Sequence, residues 1–79
     1  MPFRRVMVTG YTDSQGAHAD NVRRSEARAR AVATCLRTGG MHAEHFTIAG
    51  KGAAEPVVGN ATGEGRVQNR RVEIELETA

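Results

Sequence analysis

The clearest alternation of apolar and polar positions lies near the C-terminal end of the chain. Between residues 70 and 77, the apolar residues Val72, Ile74 and Leu76 alternate with Glu73, Glu75 and Glu77. Successive side chains of a strand point to opposite faces, so this pattern predicts a strand with one apolar face and one wet face. Shorter apolar runs at residues 4–9 and 45–50 predict two more strands.

A helical repeat separates the first two predicted strands. From about residue 19 to residue 38, one stripe at 3.6-residue spacing collects the apolar positions Val22, Ala29, Val32, Ala33 and Leu36. Gly39 and Gly40 follow the stripe and predict a helix end with a left-handed cap. A loop rich in turn-forming residues precedes the helix at residues 10–16.

The remaining segment, residues 51–62, is glycine-rich and predicts a loop, followed by a short turn or single helical turn at 63–68. The element order is therefore β-α-β-(turn)-β. This order indicates an α/β (α+β) sandwich, in which one long helix packs on a small mixed sheet. We expect one domain over residues 1–79, with no internal repeat and no linker.

Composition narrows the classes of function. The chain of 79 residues has a formal charge of +2 and only 4% aromatic residues. Nucleic-acid-binding domains concentrate basic charge more strongly and add stacking aromatics, so we expect no nucleic-acid partner. No apolar run approaches the ~20 residues of a membrane span, and the N-terminal residues lack the core of a signal peptide.

Metal, cofactor and enzyme functions find little support. The three histidines and the single cysteine, Cys35, do not supply the four converging ligands of a structural zinc site. Lys51 lies in a G-K-G sequence without the spacing of a phosphate-binding loop. No nucleophile elbow accompanies the serines. We therefore expect no metal, no cofactor and no catalysis.

A second stripe of the helix carries candidate binding groups. Asn21, Ser25 and Arg28 line up at the edge of the apolar stripe, and the loop before the helix supplies Asp13. A carboxylate and a guanidinium held near each other could bind the ammonium and the carboxylate of an amino acid. A plain Asp13–Arg28 salt bridge between loop and helix explains the same spacing.

Several motifs together resemble the OmpA-like C-terminal domain. G-Y-T-D-S-Q-G at 10–16, Asn21 and S-E-A-R-A at 25–29 are similar to the family's G-H-T-D-x-x-G, N and S-x-x-R-A. A-G-K-G-A-A-E-P at 49–56 and N-R-R-V-E-I at 69–74 are similar to its later loop and closing signature. The resemblance runs from about residue 6 to residue 76.

This resemblance implies non-covalent binding of bacterial peptidoglycan through the diaminopimelate of the stem peptide. Asp13 and Arg28 match the family's binding aspartate and arginine, Asn21 a supporting asparagine, Thr12 the same loop, and Arg70 a position near the ligand. The implied location is the periplasm or cell envelope, with a parent protein linked to the outer membrane. Asn69, Arg71, Glu64 and Arg66 are expected to hold the last loop.

The sequence departs from the family pattern in three respects. Tyr11 replaces the family histidine and Arg24 replaces a leucine, which is expected to loosen the packing of the helix. The family domain also opens with a further strand and helix, and the resemblance implies that this strand belongs inside the sheet. An unpaired edge favours completion by a partner, so a homodimer formed by strand exchange is expected as one possibility. A structural or assembly fragment that no longer binds ligand is the alternative function.

Overall fold

The computed structural model of the protein describes residues 3–78. Its elements in chain order are β1 (Phe3–Gly10), α1 (His18–Thr38), β2 (Ala43–Gly50), α2 (Gly63–Asn69) and β3 (Val72–Thr78). The strands form one sheet in the order β2-β1-β3, with β1 parallel to β2 and antiparallel to β3. The predicted α/β sandwich, with one long helix on a small mixed sheet, is confirmed. The short turn or single helical turn expected at 63–68 is a helix of 7 residues.

The core lies between α1 and the central strand. Val6 and Val8 of β1 and Ala29 and Ala33 of α1 are fully buried. The two alanines are small, so the helix packs close to the sheet, and larger apolar side chains close the core around them: Phe3, Val32, Leu36, Met41, Phe46, Ile48 and Val72. The apolar stripe predicted for the helix is therefore its buried face.

Two paired glycines bring the helix backbone against the ends of the strands. Gly10 of β1 and Gly50 of β2 are partners in the parallel register. A Cβ atom on Gly10 would lie 2.8 Å from the carbonyl carbon of Ser25, and one on Gly50 would lie 2.7 Å from Cα of Glu26. Only glycine permits this close approach. It places α1 against the strand ends, where the loop between β1 and α1 begins.

The C-terminal end of α1 follows the glycine prediction in part. Gly40 has φ of 101°, the left-handed conformation, whereas Gly39 keeps a right-handed φ of −76°. The backbone N–H of Met41 donates to the carbonyl of Leu36 and that of Gly40 to the carbonyl of Arg37. This pair of bonds is a Schellman cap and ends the helix before β2.

The apolar face of β3 is covered less than the alternation suggests. Ile74 and Leu76 pair with Val8 and Val6 and so lie on the helix side of the sheet, yet they remain 44% and 49% exposed. The reason is that α1 packs over β1 and β2 and hardly over β3. The expectation of one buried and one wet face therefore holds for β1 and only partly for β3.

The sheet is continuous, because β1 is hydrogen-bonded to a neighbour on each side. Among residues 3–78, the outer edges of β2 and β3 have no strand partner, so an additional strand would join at one of them. This corrects the expectation of a missing strand inside the sheet. No helix within residues 3–78 combines the length and apolar character needed to cross a bilayer.

Candidate functional site

The loop between β1 and α1 presents a fixed, buried carboxylate. Asp13 is only 6% exposed, and its Oδ1 accepts from the backbone N–H of Gln15 at 3.0 Å, the geometry of an Asx turn. The Thr12 hydroxyl donates to the carbonyl of Asp13 at 3.0 Å, and the Thr12 N–H donates to the carbonyl of Gly52 at 2.7 Å. Local sequence chemistry thus holds this acid in one orientation.

Arg70, directly after α2, is the partner of this acid. Its Nη1 donates to Oδ2 of Asp13 at 3.0 Å. The simple alternative considered from the sequence, a salt bridge between Asp13 and Arg28, is not formed in the part of the chain that the structure describes. A carboxylate offers about four acceptor positions. Arg70 and Gln15 fill two of them, so Asp13 keeps acceptor capacity for another donor.

The wall opposite Asp13 comes from α1. Asn21 is 2% exposed and Ser25 is fully buried, while Arg28, one turn further, is exposed. The Ser25 hydroxyl donates to the carbonyl of Val22 at 2.8 Å and accepts from the N–H of Gly52 at 3.0 Å, so this serine ties the helix to the loop after β2. Arg28 has no hydrogen-bond or ion-pair partner among residues 3–78 and is available to a ligand.

These side chains surround one cavity of about 190 Å³. Its lining consists of Thr12, Asp13, Gln15, Asn21, Arg24, Arg28 and Arg70. All five side chains singled out from the sequence as ligand-binding line this cavity. Its volume lies below the roughly 300–1,000 Å³ of pockets for drug-sized ligands and suits a smaller group, such as the charged end of an amino acid.

Two lining residues were missed from the sequence, namely Arg24 and Gln15. Arg24 was expected only to loosen helix packing, but it lies one turn before Arg28 on the same face of α1. Its Nη2 donates to Oδ1 of Asn21 at 2.6 Å. The spacing of four residues between the two arginines was a signal that could have found it. The cavity therefore combines one carboxylate with three guanidinium groups.

A buried amide supports the cavity from the second loop. The fully buried Asn69 accepts from the N–H of Val57 at 2.9 Å and donates to the carbonyl of Val58 at 3.0 Å and to Oδ1 of Asn60 at 2.9 Å. The same oxygen of Asn60 accepts from the N–H of Ser14, next to Asp13, at 3.3 Å. The expected structural role of Asn69 agrees with these contacts.

Arg71 connects β3, the loop after β2 and the loop after β1. Its Nε donates to Glu73 at 2.6 Å, and another N–H donates to the carbonyl of Glu55 at 3.0 Å. Its guanidinium lies 3.9 Å from the ring centroid of the buried Tyr11. The sequence predicted Glu64 as an acidic residue that holds this loop, but the carboxylate that pairs with Arg71 is that of Glu73.

Tyr11, whose ring packs against Arg71, is uncharged at neutral pH. Burial raises the pKa of the Tyr11 phenol above its usual value, and the negative charge of Glu73 adds to the increase. The phenol therefore stays protonated across the neutral range and can donate to Glu55, at 3.5 Å. This position, a histidine in the family pattern, contributes packing here and does not line the cavity.

No cluster of histidine, cysteine, aspartate and glutamate side chains suited to a metal ion occurs within residues 3–78. The cavity pairs no nucleophile with a base, since its only hydroxyl, that of Thr12, is bonded to the backbone. Its groups are those that bind charged ligands by hydrogen bonds and ion pairs.

A family model described as the OmpA family matches residues 2–70. Among curated proteins, the chain is 49% identical over 75 residues to the probable lipoprotein YiaD of Escherichia coli strain K12, covering 95% of this chain and 34% of that protein. It is 44% identical over 73 residues to the peptidoglycan-binding protein ArfA of Mycobacterium tuberculosis, covering 92% and 22%. The chain thus spans about a third or less of the length of these relatives.

Solved structures share the fold. The cell wall anchor of the type VI secretion system (T6SS) from Pseudomonas aeruginosa superposes with a TM-score of 0.79 at 40% identity, over 96% of this chain and 56% of that one. The architecture around the cavity is therefore one found in a solved protein described as an anchor to the cell wall.

Proposed function

The chain belongs to the OmpA family, and from this premise we propose that it binds bacterial peptidoglycan without forming a covalent bond. The ligand group is the free end of diaminopimelate in the stem peptide, which carries an ammonium and a carboxylate. Asp13 binds the ammonium and Arg28 binds the carboxylate. Thr12 and Asn21 line the same cavity, and Arg70 pairs with Asp13 and fixes its position.

One observation carries this proposal: Asp13 and Arg28 line the same small cavity without bonding to each other. A closed pair would leave no room for a ligand, and side chains on separate faces could not contact one group. Asp13 is buried and anchored, so its orientation is set before binding, which lowers the entropic cost of association. Arg28 is exposed and can fork onto a carboxylate.

The relatives support the same conclusion. ArfA is named as a peptidoglycan-binding protein, and the Pseudomonas aeruginosa structure is described as a cell wall anchor. We propose no catalytic step, because the cavity holds binding groups and no pair of nucleophile and base.

The location proposed for this chain is the bacterial cell envelope on the periplasmic side, as part of a larger membrane-linked protein. The relatives include proteins named as lipoproteins and outer-membrane proteins. A single cavity of this size binds its ligand weakly to moderately. Many copies acting on one polymer would supply firm attachment.

Co-sedimentation with insoluble peptidoglycan tests the binding proposal. The wild-type protein is expected in the pellet, and Asp13→Asn or Arg28→Gln should lower the bound fraction, with Kd at least ~10-fold higher, because each removes a charge-assisted contact. The matched control is Arg30→Gln, an arginine of the same helix that pairs with Glu26 outside the cavity. Circular dichroism checks that all variants are folded. Equal binding by the wild type and both cavity variants would contradict the assignment.

Assembly through β3 is the second candidate, and one observation favours it. Ile74 and Leu76 are half exposed beside an edge that has no strand partner within residues 3–78. Light scattering coupled to size-exclusion chromatography, at increasing protein concentration, measures the molar mass in solution. A dimer that Leu76→Lys dissociates supports assembly, and a monomer at the highest concentration argues against it.

A further inference from the structure

Arg24 lies between two neighbouring depressions of the surface. It lines the binding cavity, and it also lines a wider depression of about 370 Å³. The other residues of that second depression are Gly16, Ala17, Asp20 and Arg23. A ligand that leaves the binding cavity over the start of α1 would therefore pass Arg24.

The guanidinium of Arg24 is held at this boundary. Its Nη2 donates to Asn21 at 2.6 Å, and it lies close to Gly16, where an added Cβ would be 3.2 Å from the same nitrogen. Gly16 has φ of 90°, so the loop turns here without a side chain in the way. A guanidinium has five N–H donors, so most of those of Arg24 remain for other acceptors.

Arg24, like Arg28, has no carboxylate partner among residues 3–78. Within residues 3–78 its hydrogen bond goes to an amide, whereas three other arginines have carboxylate partners: Arg23 with Asp20, Arg30 with Glu26 and Arg70 with Asp13. The cavity lining thus has a net charge of +2 from three guanidinium groups and one carboxylate. A zwitterionic ligand adds no net charge, so it would leave this excess uncompensated.

We infer that Arg24 binds a second carboxylate of the same wall peptide, one residue away from the ammonium and carboxylate held by Asp13 and Arg28. The inference rests on the proposed function and narrows its ligand to peptides with an additional free carboxylate. Such a group complements the positive excess, and an amide at the same place does not. Arg24 is then a specificity-determining residue that distinguishes carboxylated from amidated stem peptides.

Two carboxylates lie one residue from diaminopimelate: that of the γ-linked glutamate before it, and the C-terminal carboxylate of a stem that ends with the residue directly after it. Both offer the same chemistry to Arg24. The probes are therefore three synthetic stem peptides containing diaminopimelate: one with both carboxylates free, one amidated at the glutamate and one amidated at the C-terminus. Isothermal titration calorimetry measures each Kd at low and at physiological salt.

The wild-type protein is expected to bind the fully carboxylated peptide ~10-fold more tightly than one of the amidated peptides, the value of one charge-assisted contact. Arg24→Leu, which restores the residue of the family pattern, should remove this preference, so that its Kd values for the two peptides agree within about twofold. Arg30→Leu, on the outer face, should keep the preference. The position at which amidation lowers the affinity identifies the carboxylate that Arg24 binds.

The inference is overturned if the wild type binds all three peptides equally, or if Arg24→Leu retains the preference; in either case Arg24 is a solvated surface arginine. These results leave the proposed function intact, provided that the peptides bind and that Asp13→Asn weakens all three. If no peptide binds to the wild type, the proposed function itself fails, and the role of Arg24 fails with it.

Discussion

Replacing Gly10 by alanine should destabilise the protein and disturb the cavity together. Gly10 ends β1, and the added Cβ would lie 2.8 Å from the carbonyl carbon of Ser25. That atom belongs to the helix backbone, so no side-chain rotation can relieve the overlap. Either α1 moves away from the sheet or the end of β1 is displaced. In both cases Asn21 and Arg28 change position relative to Asp13.

The size of the effect follows from this contact. Overpacking by one methyl group in a well-packed interior typically costs about 1–3 kcal/mol, and the rigid backbone partner favours the upper end, about 3 kcal/mol. A chain of this length has a total stability of about 4–12 kcal/mol. For a domain this small, about 3 kcal/mol corresponds to a fall in Tm of about 12–24 °C.

Urea and thermal unfolding followed by far-ultraviolet circular dichroism measure this change, and the chain offers a matched control. Gly59 has no atom within 4 Å of a Cβ position and no positive φ, so Gly59→Ala should cost no stability and should raise it by up to about 1 kcal/mol. If Gly10→Ala were as stable as Gly59→Ala, the close approach of strand end and helix would not hold the fold as argued.

Three further outcomes are expected. Asn69→Ala should cost about 2–3 kcal/mol in urea unfolding, because it removes a fully buried amide that bonds to the backbone of the loop at residues 57–60; a loss below about 0.5 kcal/mol would contradict this role. The pKa of Tyr11 is raised on folding, so its contribution to stability is full below pH ~10 and is lost as the pH rises further. The urea midpoint of Tyr11→Phe should therefore fall less than that of the wild type between pH 9 and 11. Parallel curves for the two proteins would contradict this contribution of Tyr11. Val8→Ala should cost about 2 kcal/mol or more and Leu76→Ala about 1 kcal/mol, since Val8 is fully buried and Leu76 is 49% exposed. Equal losses in thermal unfolding would show that the helix covers β3 as fully as β1.

The elements of the fold could be predicted because short-range patterns encode them. The alternation at residues 72–76 and the helical stripe that includes Ala29 and Ala33 are signals of local periodicity. The incomplete burial of Ile74 was not predictable in this way. Periodicity assigns a side chain to a face, but whether that face is covered depends on where a distant helix lies across the sheet.

The candidate site could likewise be predicted where it depends on local spacing, but not where it depends on how distant segments pack. The loop acid Asp13 and the helix position Arg28 followed from spacing, and the family resemblance added Arg70. The partner of Asp13 did not follow, because a pair of residues separated by 57 positions depends on how the end of α2 docks beside the first loop. Arg24 was missed because it was judged by its departure from the family leucine and not by its place one turn before Arg28.

The ion pair between Asp13 and Arg70 closes a loop that contains most of the chain. The cavity is therefore completed only when the first loop, α1 and the segment after α2 have all docked, so an unfolded or partly unfolded chain offers no equivalent site. Ligand that binds only the folded form raises its stability by mass action, by about 2.7 kcal/mol at a concentration 100 times Kd. The proposed attachment to the wall would therefore stabilise the domain, and the attached form should resist heat and proteases better than the free form.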